Sequence, residues 1–194
     1  MSVVDKDFRN VLFVSRNKDN NGFNNSIYQP FKPRVKSFVA RVSPFDVSSL
    51  YDEFETFVNE GINGEVSRLY VSVNARDEQK VHRALIHELI DKPDFDMTKI
   101  DSKIASIAMK PTNRKTSHWL FDFDRRDFDL FYKFFTEVSK QTQILAQKPT
   151  MNGYVLVVAH GFDTREILKK YPMATLKRDA MILSCWSEKK GYIG

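Results

Sequence analysis

The stretch HWLFDFDRRDFDLF, residues 118–131, decides how the chain is read. Apolar and acidic residues alternate through its first half, and that period of two predicts a strand over 118–124. Asp122 and Asp124 are two residues apart, so they project from one face, roughly 7 Å apart along the strand. Trp119, Phe121 and Phe123 point to the other face, toward a core. Two readings of the acids stand. They face water as one solvated side of a sheet, or they hold hard cations such as Mg2+ or Mn2+, which take oxygen ligands. Pairs of such metals clamp the attacking and leaving oxygens in phosphoryl transfer. Asp is a poor strand former, and local inconsistencies of this kind gather at functional sites. The period then lengthens. Leu130, Phe131, Phe134, Phe135 and Val138 fall on one face of a helix predicted at about 127–140.

Downstream, a short strand near QILAQ, a turn at KPTMNG and a strong strand YVLVVAH follow. GFDTREILKKYP carries Asp163 three residues before Glu166, a capping-box variant that opens a short helix. DAMILSCW reads as the last strand. Upstream, FRNVLFV is a strand, and residues 15–34 form a polar N-terminal arm or loop. VKSFVARV is a strand and residues 43–60 a helix. SRLYVSV is a strand and residues 74–91 a second helix, with Asn74 as its cap. Residues 92–102 are the only candidate hinge. KIASIAM reads as a strand and KPTNRKTS as a basic loop. The order predicts one α+β domain spanning 1–194.

The bulk numbers agree with a globular chain. It has 194 residues, 42% hydrophobic and 28% charged, enough for one domain with its own core. The formal net charge of +5 permits an anionic partner without requiring one. A lone cysteine, Cys185, rules out a disulfide framework within the chain and points to an intracellular setting. No basic segment followed by an apolar run opens the sequence, and the longest apolar run, YVLVVA, is far short of a membrane span. The expectation is a cytoplasmic protein with no membrane association.

A metal site needs more ligands than a pair. Asp179, ahead of the last strand, is either a third carboxylate or a turn residue. Lys177 and Arg178 beside it are cations that meet phosphates. Lys110, Arg114 and Lys115 precede the acidic strand, and Arg125 and Arg126 follow it. Such flanking cations suit a metal-plus-phosphate site. They also suit a balanced surface, with Arg125 and Arg126 pairing to Asp127 and Asp129. HELID at 87–91 lacks the second His of a zinc-binding helix. Aromatic residues near cations (Tyr28, Phe31, Lys32, Arg34, Tyr154) fit stacking on single-stranded nucleic acid.

The succession WLFDFD, helix, NGYVLVV, and an acid before a strand resembles the catalytic core of the archaeo-eukaryotic primase-polymerases. The resemblance covers about residues 117–186. It implies an RRM-like or primase-like sheet with helices packed on one face. It also implies a metal-dependent nucleotidyltransferase in which Asp122, Asp124 and Asp179 are catalytic and bind Mg2+ or Mn2+. The second motif implies a nucleotide-binding His near Val155, where this chain has none. His160, five residues on, has the opposite strand parity and replaces that His only across a bulge, yet it is a candidate phosphate ligand, as is His118, which otherwise reads as a strand-edge residue. Nucleic acid or a nucleotide is the implied partner, met either by a catalyst or by a non-catalytic relative that keeps the fold. LYVSVNARDEQKVHRALIHELI and GFDTREIL also resemble pieces of proteins from large tailed bacteriophages. That likeness implies the cytoplasm of a host cell. It also carries an alternative function, a non-catalytic inhibitor that binds a host or defence protein or nucleoprotein complex.

Overall fold

A computed structural model describes residues 6–23, 31–150 and 152–190. In chain order its regular elements are β1 (Asp7–Ser15), β2 (Arg34–Val42), α1 (Tyr51–Asn59), β3 (Val66–Ser72), α2 (Glu78–Asp91), α3 (Ile100–Ala108), β4 (His118–Phe123), α4 (Phe128–Ser139), β5 (Ile144–Pro149), β6 (Tyr154–Ala159), α5 (Arg165–Lys170), β7 (Ala174–Lys177) and β8 (Met181–Glu188). They build two antiparallel four-stranded sheets with five helices around them, so the α+β class holds. The first sheet runs β2-β1-β3-β8 and the second β5-β6-β4-β7.

Strand alternation divides the first sheet into two faces. Val11 and Phe13 of β1 meet Phe54, Phe57 and Val58 of α1, with the Phe13 and Phe54 rings 5.2 Å apart. The opposite face carries α3, where Asn10 Nδ2 donates to the Ala105 carbonyl. Ala105, Ile107 and Ala108 are buried, the last two together with Val81 of α2 and beside Phe8 and Val39. The sequence predicts a strand at 103–109, and the structure places the C-terminal part of α3 there. A short apolar run does not by itself distinguish strand from helix, and the helical spacing of Ile104, Ala105, Ile107 and Ala108 is the feature that fits. The cap of α2 is Asp77, which accepts from Lys80 N at 3.1 Å. Asn74, predicted for that role, lies three residues earlier and bonds instead to His118 and Asp179. Of the helix predicted at 43–60, residues 43–46 close a turn around Pro44, a 3-10 turn spans Ser48–Leu50, and α1 starts at Tyr51. In the connector at 92–102, a single 3-10 turn, Met97–Lys99, runs directly into α3.

The second sheet has the chain order β-α-β-β-α-β, the split β-α-β arrangement. α4 and α5 cover one face. Phe121 and Phe123 of β4 pack there on Phe131, Phe134, Val138, Ile167 and Tyr171, as the aromatic face of the acidic strand predicts. β7, four residues long, is too short to leave a periodic signal in the sequence. Asp163 does not cap as a box with Glu166. Its Oδ1 accepts from Arg165 N at 3.0 Å, a local turn ahead of α5.

The other face of this sheet presents Leu120, Val155 and Val157, which pack on Val73, just after β3, and Ile182 of β8. After β7 the chain crosses between the sheets in three residues and enters β8. One glycine fixes a close approach. A Cβ at Gly153 would stand 1.9 Å from the Phe123 carbonyl oxygen, so only glycine lets the β5–β6 turn lie against the β4–α4 loop. Among the described residues, no helix is long and apolar enough to cross a membrane.

Candidate functional site

Where the helix-free face of the second sheet meets β3 and β8, a polar crevice of about 320 Å³ opens. Asp122 and Asp124 line it from β4 and the residue after it, with Leu120 and Val155 as its apolar floor. The acidic face of β4 is therefore not a uniformly solvated side. Leu120 is buried, Asp122 is partly covered and Asp124 is exposed. Lys177 of β7 reaches diagonally across the sheet, and its Nζ donates to Asp122 Oδ2 at 2.6 Å.

The first sheet brings cations to the opposite wall. Arg16 and Lys18 come from the turn after β1, and Arg68 and Tyr70 from β3. Asp19, nearly buried, holds the two arginines. It accepts from Arg16 Nε at 2.9 Å and forms an ion pair with Arg68. That hydrogen bond raises the Arg16 pKa further. Asn20 holds the turn in place by accepting from Val66 N at 2.7 Å and donating to the Arg16 and Val66 carbonyls. Arg68 Nε is buried and has no acceptor among the described residues. Thr150 and Asn152 of the β5–β6 turn complete the rim.

Asp179 does not line this crevice. Arg76, whose side chain is fully buried, grips it with two hydrogen bonds, Nη2 to Oδ1 at 2.8 Å and Nη1 to Oδ2 at 3.0 Å. Asn74 Nδ2 donates to the same Oδ1 at 3.2 Å and to the His118 carbonyl at 3.1 Å, while its Oδ1 accepts from His118 N at 2.6 Å. Asn74, Arg76 and Asp179 thus tie the end of β3 to the start of β4 and to the crossing between the sheets. Among the described residues, no group of three or more His, Cys, Asp or Glu is placed to hold a metal ion.

Val155, near which the resemblance implies a His, is the cross-strand partner of Asp122. His160 lies beyond the end of β6 and meets Trp119, ring centroids 6.4 Å apart, on the other face of the sheet. Arg178 stacks on the same Trp119 at 5.6 Å. Lys115 pairs with Asp7 at 2.8 Å and lines a separate cavity with Arg76 and Glu78. Arg114 forms an isolated backbone bridge with Arg76, and Lys110 is exposed after α3. None of these last three lines the crevice. Arg125 and Arg126 are exposed in the β4–α4 loop, and Arg125 lies 3.6 Å from Asp127. Burial lowers the His118 pKa, with Arg9 and His160 adding to the effect, so His118 is neutral at neutral pH. Of the aromatic-basic set, Arg34 pairs with Glu65 and stacks on Phe57 at 4.4 Å. Tyr28 lies outside the described residues, as do positions 24–30 of the arm.

Asp122, Asp124 and Lys177 are therefore the predicted residues that the fold brings together. Arg16, Lys18 and Arg68 are additions from the structure. Their one trace in the sequence is the polar alternation of SRLYVSV, beside an arm too long to be a plain turn. Compared with protein-family models, with curated proteins and with solved structures, the chain matches none.

Proposed function

We propose that the chain binds nucleic acid or a nucleotide through this crevice, as a non-catalytic relative of the primase-polymerase core. The observation that carries the reading is the convergence of Arg16, Lys18, Arg68 and Lys177 on one cavity from two sheets. Guanidinium groups such as those of Arg16 and Arg68 form charge-assisted bonds with phosphate oxygens, and bonds of this kind are among the strongest a protein makes. The β-α-β-β-α-β order of the second sheet supports the RRM-like part of the resemblance.

The donors do not fit a three-carboxylate site for Mg2+ or Mn2+. Asp179 is committed to Arg76, Lys177 holds Asp122, and a valine faces Asp122 from the next strand. The expected outcome is salt-sensitive binding of a single-stranded oligonucleotide, without nucleotide incorporation in either metal. Incorporation by the parent protein that is lost in Asp122→Asn/Asp124→Asn would overturn the non-catalytic reading.

A second observation supports the inhibitor alternative. Ile86 and Ile90 of α2, with nearby Met97 in sequence, are exposed apolar side chains, and the helix buries only Val81 fully. Exposed apolar groups that recur on one helix face suit a protein partner. On that reading, a phage-encoded chain docks a host or defence complex through α2. Ile86→Asp/Ile90→Asp would then abolish its inhibition of that complex and leave oligonucleotide binding intact. Inhibition that survives the double substitution would count against it.

A further inference from the structure

We infer that the groove between α4 and the edge strand β5 takes the bases of a single strand of nucleic acid that continues out of the crevice. The inference rests on the binding role proposed above. The groove holds about 290 Å³ and is lined by Phe128, Phe131, Tyr154 and Pro149, with Gln147 and Lys148 along one side. Tyr154 stacks on the buried Phe131 at 4.3 Å and 15°, which makes its ring a fixed platform. Phe128 stands edge-on to it at 6.3 Å and is 62% exposed. One turn along the helix, Tyr132 is 59% exposed and lies near-parallel to Phe128, with centroids 6.3 Å apart. Rings held this way and facing solvent are the surface on which unpaired bases stack, whatever their sequence.

The polar groups around the groove suit the same occupant. Lys148 turns its charge away, donating to the Ser184 carbonyl of the other sheet, so only its stem borders the groove. The charge that would meet a backbone comes instead from Arg125 and Arg126, in the loop leading into α4. Gln147 is exposed, and its amide offers a donor and an acceptor to a base edge.

Continuity with the crevice is the strongest argument. Pro149 and Tyr154 line the groove, and Thr150 and Asn152, between them in the β5–β6 turn, line the crevice. Gly153 presses that turn against the loop at Arg125. Residues next to one another in this connection therefore line both cavities, and a strand passing over it goes from cations to aromatic rings. A peptide adding to the edge of β5 fits less well, because Pro149 has no N–H to offer a new neighbour.

The test is a titration of a labelled single-stranded oligonucleotide, and of its duplex, with the full chain and with Phe128→Ala/Tyr132→Ala. Both side chains are exposed, so the variant is expected to melt with the parent. Its affinity for the strand should fall roughly tenfold or more, with an unchanged salt slope and unchanged duplex affinity. Unchanged strand affinity overturns the inference, whatever peptide or second copy of the chain the groove then proves to hold. Equal losses on strand and duplex also overturn it. A parent protein that fails to bind the strand at all overturns the binding role itself, which separates the two failures.

Discussion

An Arg76→Met protein is expected to lose about 3–5 kcal/mol of stability. Removing the guanidinium leaves the Asp179 carboxylate, only 18% exposed, without its bidentate partner. It also leaves the segment after β3 holding the crossing between the sheets through Asn74 Nδ2, which donates to Asp179, and the Val73 N–H, which donates to the Ala180 carbonyl. A carboxylate stranded in a poorly solvated place costs far more than the pair contributes over an apolar equivalent. The double variant Arg76→Met/Asp179→Leu should therefore recover much of the loss. Urea denaturation of the two singles and the double measures the coupling. A loss below about 1 kcal/mol for Arg76→Met would place the pair in the class of surface ion pairs and remove its role at the crossing.

The second large effect falls on binding. Arg16→Gln/Arg68→Gln should weaken single-strand affinity about a hundredfold or more, since hydrogen bonds to charged groups contribute roughly 1.5–3 kcal/mol each and 1.4 kcal/mol is a factor of ten. Both arginines lean on Asp19, which the substitutions would leave nearly buried and unneutralised. Adding Asp19→Asn removes that carboxylate, so a persistent loss of affinity in the triple variant belongs to the arginines and not to a disturbed turn. Full binding by a folded triple variant would take Arg16 and Arg68 out of the site.

Much of the fold is legible in the sequence wherever one period runs long enough. β3 and β4 alternate, β1 and β2 are short runs rich in Val and Phe, β6 is a continuous apolar run, and α4 shows an unbroken apolar stripe. α3 is misread because its apolar run is short and rich in isoleucine, and its burial depends on β1 and β2, far away in the chain. β7 has four residues and no pattern of its own. The site divides along the same line. Asp122 and Asp124 are legible because both lie in one short stretch. Lys177 stands out only as a cation beside Asp179, and β7, itself missed, carries it to Asp122. Asp179 looks equally available, yet its partner Arg76 is 103 residues away and only the fold brings them together. Arg16 and Lys18 read as part of a polar arm until Asn20 fastens that arm to β3 and faces them into the crevice.

The salt dependence of single-strand binding tests the central claim most directly. Each phosphate contact to a single strand releases counterions and contributes about 0.7 to the slope of log affinity against log salt. The parent protein should lose affinity linearly on that plot between low and moderate salt. The Arg16→Gln/Arg68→Gln variant should show a slope shallower by roughly 1.4, two contacts' worth. A parent slope near zero, or equal slopes in parent and variant, would contradict a phosphate-binding crevice.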